Sequence, residues 1–306
     1  MRARNFAVHH LRLAAAVTVL VAGYSGPAIP APRLDTGFEP PERVTLRGYD
    51  GEAMEPFITP DGRYLLFNNR NDPAIAADLH VAVRVDDLTF DYRGPLAGAN
   101  SNALDGVPSV DRDGNLFFIS TREGPRGRTT LYRGRFRDGV ATEVAPLLGL
   151  SSGTPGYLIF DAEIARDGRT LFFAEGEFAG GAVPRSSDIV MALREGDGFR
   201  RSTESAALLR EINTAGLEYA PAVSEDLLEL FFTRVDQGAP PAIYRSTRAS
   251  AALPFGPPVR LAAIDGFAEA PALSPDGRSV YFHKLDRGRF AIYRVRRRAA
   301  SARPAE

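Results

Sequence analysis

The most constraining feature of this 306-residue chain is a turn motif that recurs five times at a nearly constant interval. It is most complete as Pro-Asp-Gly at residues 60–62 and 275–277. The turn aspartates of the five copies are Asp61, Asp113, Asp167, Asp226 and Asp276, so successive copies lie 52, 54, 59 and 50 residues apart. A period of about fifty residues indicates a repeat architecture in which each unit is one supersecondary structure.

The residues around each turn predict β-strands. Proline presets φ, aspartate can accept a hydrogen bond from its own backbone, and glycine tolerates positive φ, so the chain reverses tightly between antiparallel strands. The fourth repeat has Leu227 where the others have glycine. A large apolar residue follows each aspartate by six positions, and a third segment of β-formers comes next. The large residues are Phe67, Ile119, Phe173, Phe232 and Phe282.

A fourth and more variable strand would complete each unit, as at Val144–Leu148 and Val259–Ala263. Four strands in each repeat are typical of a propeller blade. We therefore predict an all-β, five-bladed β-propeller of four-stranded antiparallel blades over residues 33–298, followed by a C-terminal tail at 299–306. Because the last repeat ends at its third strand, we expect the N-terminal strand Arg43–Tyr49 to complete the fifth blade and close the ring.

Residues 1–32 have a different composition. Arg2, Arg4 and Arg12 precede the apolar run Leu13–Ala22, and small residues and prolines follow. This pattern predicts a signal peptide, and the apolar run is too short to span a bilayer. We therefore expect a periplasmic or secreted protein that is not an integral membrane protein after processing.

Composition excludes several kinds of chemistry. The formal net charge of −1 does not point to nucleic acid as a partner, and the absence of cysteine excludes disulfides and thiolate metal sites. Two isolated histidines, His80 and His283, do not make a transition-metal site. We predict no cofactor and no bound metal of this kind.

The run Ala272–Phe282 resembles the WD40-like (PD40) repeat of the TolB family of bacterial propellers, and Ile58–Phe67 is almost as similar. The resemblance covers all five repeats, from about residue 50 to residue 296. It implies a propeller fold and an exported scaffold that binds other proteins. TolB itself has six blades and an additional N-terminal domain, whereas this sequence shows five repeats.

Polar residues mark one predicted end of the propeller, because the innermost strand of a blade begins where the second strand ends. The twelve candidate ligand-binding residues at this channel mouth are Glu55, Asn69, Arg70, Asp105, Arg122, Asp161, Glu175, Glu218, Arg234, Glu269, His283 and Lys284. Each carboxylate could instead be structural, accepting backbone N–H bonds and pairing with an arginine. We expect Glu55 and Asp161 to lie nearest the axis. The glycine-rich loop Glu175–Arg185 is compatible with a flap or with an inert insertion.

Two functions fit this mouth. The favoured one is a non-enzymatic exported binding or scaffold module for a peptide, a protein or a polar ligand such as an oligosaccharide or a divalent cation. The alternative is a carbohydrate-active enzyme of the glycosidase type, which needs two separated carboxyl groups. Asp161 with Glu218 or Glu269 could supply them. Carboxylates facing one another would favour catalysis, whereas carboxylates paired with arginines would favour a scaffold.

Overall fold

The computed structural model describes residues 32–69, 76–122, 130–178 and 183–299. The predicted signal peptide, Arg70, part of the glycine-rich loop and nearly all of the tail lie outside these ranges. The described residues form strands and one short helix, α1 (Ser205–Leu208), so the all-β prediction is confirmed. No helix in the described ranges is long and apolar enough to cross a membrane.

Three short strands precede the first repeat: β1 (Leu34–Asp35), β2 (Glu42–Arg43) and β3 (Thr45–Arg47). Each repeat then forms an antiparallel meander. The first meander contains β4 (Met54–Ile58), β5 (Tyr64–Asn68), β6 (Leu79–Arg84) and β7 (Thr89–Pro95). The second contains β8 (Asp105–Val110), β9 (Asn115–Ser120), β10 (Leu131–Arg137) and β11 (Val140–Pro146). The third is β12 (Tyr157–Ile164), β13 (Thr170–Glu177), β14 (Ser187–Glu195), β15 (Gly198–Arg201). The fourth contains β16 (Leu217–Val223), β17 (Glu229–Val235), β18 (Ala242–Thr247) and β19 (Val259–Leu261). The fifth contains β20 (Ala268–Leu273), β21 (Ser279–Asp286) and β22 (Arg289–Arg296).

The first strands of the meanders lie side by side around a common axis. They contact one another in the cyclic order β4, β8, β12, β16, β20 and back to β4. The core fills the spaces between neighbouring meanders, where Phe117 of the second packs with Phe173 of the third. All five large residues predicted from the repeat are buried. This burial explains why the repeat keeps a large apolar side chain at that position.

The N-terminal segment is divided among three meanders. β1 runs parallel to β19, β2 runs antiparallel to β22, and β3 runs parallel to β7. The sequence predicted one strand, Arg43–Tyr49, at the edge of the fifth repeat. In the structure β2 pairs with β22 at Glu42 and Arg43, and the Val44 N–H still bonds to the Ile292 carbonyl of β22. The chain then crosses to the first repeat, where the Thr45 N–H bonds to the Leu88 carbonyl.

Arg166 connects neighbouring repeats at the end of the axis where the Pro-Asp-Gly turns lie. Its guanidinium donates to the carbonyl oxygens of Pro275 at 2.5 Å and Ser274 at 2.8 Å, two residues of the fifth repeat. It also lies 3.4 Å from Glu225 of the fourth repeat, and its backbone oxygen accepts from the Arg112 N–H of the second. Through its side chain and its backbone oxygen, this one residue of the third repeat therefore joins it to three others.

We expect Arg166→Ala to lower the free energy of unfolding by about 2–4 kcal/mol, since it removes the donors to two carbonyl groups. The matched control is Arg169→Ala, which truncates an exposed arginine on the same turn and should change stability by less than about 0.5 kcal/mol. Denaturant unfolding measures both values. Equal effects of the two substitutions would contradict a joining role for Arg166.

His80 lies in an aromatic cluster on the first repeat. Its ring stacks on Phe67 with centroids 5.2 Å apart, and Nδ1 lies 2.9 Å from the hydroxyl of Tyr92. Among the described residues, Nε2 has no hydrogen-bond partner. Burial lowers the pKa of His80 to about 4, so the folded protein holds this ring neutral.

This shift makes folding sensitive to acid. Below about pH 6.5 the unfolded chain binds a proton on His80, whereas the folded protein binds it only near pH 4, so stability falls as the pH drops through this window. We expect a loss of about 2 kcal/mol from this residue. Unfolding curves at about pH 7 and pH 4.5 should show a smaller loss for His80→Phe than for the wild type. Identical losses would exclude His80 as the source.

Candidate functional site

A recurring backbone irregularity shapes the innermost strands. Glu55, Val107, Ala220 and Ala270 each have φ between 49° and 55° and each precedes a proline. At these positions the register between first and second strands shifts. In the third repeat, which lacks the proline, the shift falls at Phe160 and Asp161 takes the equivalent place. Bulges re-aim side chains, and these five residues all line the central channel.

Two of the five residues are acidic, Glu55 and Asp161, and both lie six positions before their turn aspartates. Tyr219 and Glu269 lie seven positions before theirs, at the same end of the channel. Opposite Glu269 on the neighbouring strand is His283. We name the group formed by Glu55, Asp161, Tyr219, Glu269 and His283 the acidic mouth.

Glu269 is at the centre of the hydrogen bonds in the acidic mouth. Its Oε1 accepts from the hydroxyl of Tyr219, and its Oε2 lies 3.0 Å from Nε2 of His283. The other ring nitrogen of His283, Nδ1, accepts from the backbone N–H of Glu55 at 3.2 Å. Donors to both carboxylate oxygens are the arrangement that suits an ionised group.

Glu55 and Asp161 have a different environment. Burial raises the pKa of Glu55 to about 8; His283 opposes the rise, and Asp161 and Glu269 add to it. Burial, with the nearby Glu269, also raises the pKa of Asp161 well above its ordinary value. Asp161 is 4% exposed, and its Oδ1 has no hydrogen-bond partner among the described residues. At neutral pH the mouth therefore combines a mostly protonated Glu55 with a Glu269 carboxyl group that is held by two donors.

The same electrostatics act on the other two members of the mouth. Burial and the neighbouring Glu269 raise the pKa of the Tyr219 hydroxyl well above its usual value, so Tyr219 stays a donor. Burial lowers the pKa of His283, but Glu55 and Glu269 outweigh it and the net direction is upward. His283 is fully buried.

The channel below the mouth is narrow, with a volume of about 30 Å³. That space suits one or two water molecules, so a larger ligand would have to bind at the mouth. Glu163 lines the channel two residues beyond Asp161, and its Oε1 accepts from the Val223 N–H at 2.8 Å. Burial raises the pKa of Glu163 to about 8, although Val223 and Arg166 oppose the rise.

Three of the predicted acidic residues do not join the acidic mouth, because each pairs with an arginine. Asp105 pairs with Arg122 at 2.5 Å, Glu218 with Arg234 at 2.9 Å, and Glu175 with Arg201 at 2.6 Å. Asp105 and Glu218 also accept backbone N–H bonds from the loop that precedes them, from Ser101 and Thr214. These pairs match the alternative stated from the sequence, in which a carboxylate has a structural role and pairs with an arginine.

The remaining predicted residues have local roles. Asn69 accepts from the Asp78 N–H at 2.7 Å, and Lys284 pairs with Asp265. Arg70 lies outside the described residues. Strand β13 extends through Glu177, so it includes the beginning of the glycine-rich loop. Of the twelve residues predicted for the mouth, the structure brings together Glu55, Asp161, Glu269 and His283.

Sequence reasoning did not find Tyr219 and Glu163. The signal for Tyr219 is its register, since it stands seven positions before its turn aspartate, as Glu269 does. Glu163 lies on the same face of β12 as Asp161, two residues further along the strand. In the described ranges, no group of three or more histidine, aspartate or glutamate side chains has an arrangement that could hold a metal ion.

Solved structures share this fold over most of their length. The structure of the BT0996 RGII complex matches 89% of this chain and 94% of its own, with a TM-score of 0.60 and 11% identity. Zg3597, a family 117 glycoside hydrolase of the marine bacterium Zobellia galactanivorans, matches 87% and 91%, with a TM-score of 0.56 and 12% identity. The endo-arabinase of Bacteroides thetaiotaomicron VPI-5482 matches 85% and 99%, with a TM-score of 0.52 and 13% identity. No family model and no curated protein matches the sequence.

These likenesses define the class of fold as an all-β structure of the propeller type. They also correct the function favoured from sequence. The prediction of a non-enzymatic binding or scaffold module is wrong, because the solved structures that share the fold include several glycoside hydrolases. The sequence reasoning relied on the resemblance of the repeat to the TolB family, and a resemblance of this kind concerns the fold and not the function of a site on it.

Proposed function

We propose that this protein is a carbohydrate-active enzyme of the glycosidase type, with the acidic mouth as its active site. The observation that carries the proposal is the convergence of Glu55, Asp161 and Glu269 at one end of the channel. In the described part of the chain, none of the three pairs with an arginine. The likeness to glycoside hydrolases supports the same reaction.

Glycoside hydrolysis needs one carboxyl group that donates a proton and one carboxylate that acts as base or nucleophile. Glu55 suits the first role, because its pKa of about 8 keeps it protonated at neutral pH and it is more exposed than Asp161. Glu269 suits the second, since Tyr219 and His283 donate to it. Asp161 would offer its unpartnered Oδ1 to a sugar hydroxyl.

In this mechanism, the proton of Glu55 passes to the glycosidic oxygen as the bond from that oxygen to the anomeric carbon breaks. Glu269 either attacks the anomeric carbon or removes a proton from the attacking water. Of the two pairings considered from sequence, Asp161 with Glu218 does not form, because Glu218 is buried against Arg234. From the other pairing, Asp161 with Glu269, the proposed mechanism keeps Glu269 and gives the role of proton donor to Glu55, which is more exposed than Asp161.

We propose further that the ring has five blades and that β2 closes it by completing the fifth. The cyclic contacts of the innermost strands and the pairing of β2 with β22 support this arrangement. The repeat itself we relate to the WD40-like repeat of the TolB family. The pattern of residues 1–32 supports export, and a polysaccharide or oligosaccharide is the partner that suits the reaction.

The proposal is tested by incubating the purified full chain with a panel of 4-nitrophenyl glycosides and with soluble polysaccharides that include arabinan. We expect release of nitrophenol or reducing sugar above the buffer rate from at least one substrate. The Glu269→Gln protein, prepared in the same way, should show almost no such release, because it lacks the carboxylate that acts as base or nucleophile. Equal rates for the two proteins on every substrate would contradict the proposal.

A further inference from the structure

His283 joins the fifth repeat to the first at the acidic mouth. It lies on β21 directly opposite Glu269 of β20, and its ring packs edge-on against Phe290, with centroids 5.4 Å apart. Its Nδ1 contacts the backbone N–H of Glu55, which belongs to β4 of the first repeat. One fully buried side chain therefore contacts the residues to which we assign the two essential carboxyl groups.

The two contacts determine where the imidazole proton resides. A backbone N–H can only donate, so the Nδ1 that receives the Glu55 N–H must be an acceptor. The proton of the neutral ring is then on Nε2, from which it is donated to Oε2 of Glu269. His283 thus uses one acceptor and one donor, and each makes a specific hydrogen bond.

The backbone of Glu55 makes the first contact possible. Its φ of 50° belongs to the left-handed region, which costs a non-glycine residue about 1 kcal/mol or more. The same bulge recurs at Ala220 and Ala270, so it comes from the repeat. At Glu55, the bulge places the N–H against Nδ1 and the side chain in the channel.

We propose that His283 is a positioning residue for glycoside hydrolysis, which fixes the carboxylate of Glu269 and the backbone of Glu55 in one relative geometry. The inference rests on the proposed function and deepens it by assigning a role to a residue that need not touch the sugar. Geometry of this kind matters because a displacement of about 1 Å between reacting groups can cost about a hundredfold in rate.

The kinetic test compares two substitutions at His283. Phenylalanine fills a similar volume and keeps the contact with Phe290 but makes neither hydrogen bond, whereas glutamine offers one donor and one acceptor. On the glycoside that the panel identifies, we expect His283→Phe to lower kcat about a hundredfold, with KM changed less than about threefold. We expect His283→Gln to recover at least about tenfold of that loss.

His80→Phe is the matched control, since it replaces the other buried histidine of the described chain outside the acidic mouth. It should leave kcat within about threefold of the wild type. Wild-type kcat in His283→Phe would overturn the positioning role, as would equal losses in His283→Phe and His283→Gln. If Glu269→Gln retained full activity, the proposed function would fail instead, so the two failures are distinguishable.

A second measurement needs no substrate. In protein labelled with ¹⁵N-histidine, the His283 signals are assigned by their disappearance in His283→Gln. At a pH where the ring is neutral, we expect the proton on Nε2, protected from exchange, and an unprotonated Nδ1. In Glu269→Ala the protection of the Nε2 proton should be lost. A proton on Nδ1 would show that the Glu55 contact is absent and would overturn the proposal.

Discussion

Replacing Glu269 by glutamine is expected to lower kcat/KM by a thousandfold or more, on the order of the contribution that a positioned acid or base makes to a rate. Glutamine has nearly the same shape and can still accept the hydrogen bond from His283 through its amide oxygen, but it cannot take up a proton or attack a carbon. Stability should change by less than about 1 kcal/mol. Initial rates, together with a thermal unfolding curve for each protein, measure both effects.

A matched pair of substrates separates the roles of the two carboxyl groups. Glu55→Gln should slow the hydrolysis of an alkyl glycoside about a thousandfold, yet leave a dinitrophenyl glycoside much less affected, because that leaving group departs without protonation. Glu269→Gln should slow both substrates. The control Asp265→Asn changes an exposed carboxylate paired with Lys284 and should stay within about twofold. An equal loss of activity on both substrates in Glu55→Gln would contradict the role of Glu55 as proton donor.

Glu163→Gln is expected to stabilise the protein at about pH 8 and above by about 2–3 kcal/mol. Burial raises the pKa of Glu163 from 4.5 to about 8, so the unfolded chain loses its proton well before the folded protein does. The contribution of Glu163 to stability is therefore present below about pH 4.5 and is lost as the pH rises towards 8. The shift in the pKa of Glu163 corresponds to at most about 5 kcal/mol of stability. The partial exposure of the side chain to the channel makes the actual contribution smaller.

The substitution preserves the local hydrogen bond, since a glutamine Oε1 can still accept from the Val223 N–H. Denaturant unfolding at about pH 5 and pH 8 should therefore show a gain that appears only at the higher pH. Glu143→Gln is the control, because Glu143 is exposed and should change stability by less than about 0.5 kcal/mol at either pH. A gain of the same size at both pH values would argue against titration of Glu163.

The repeat was readable because it depends on local chemistry. Pro-Asp-Gly defines a turn within three residues, and the large apolar residue six positions after each aspartate defines the strand that follows. The N-terminal segment was predicted less well. Its division among three edges depends on where the chain crosses between repeats, as it does after Val44, and no local pattern marks that crossing.

The mouth shows the limit of the same reasoning. Asp105 and Glu218 could not be separated from Asp161 and Glu269 by sequence, because pairing with Arg122 and Arg234 depends on side chains that meet in space. A bulge also shifts the direction of side chains along a strand, so residues six, seven and eight positions before the turn aspartate reach different places. Glu55 and Asp161 share one of these positions, and the expectation that both lie nearest the axis rests on that register.

The most direct measurement is the pH dependence of kcat/KM on an alkyl glycoside, for the wild type and for Glu55→Gln. We predict a bell-shaped profile whose alkaline limb falls near pH 8, because Glu55 must stay protonated to act, and we predict that this limb disappears in Glu55→Gln. An alkaline limb near pH 8 that persists in Glu55→Gln would show that another group donates the proton. Glu55 would then not be the acid of the acidic mouth.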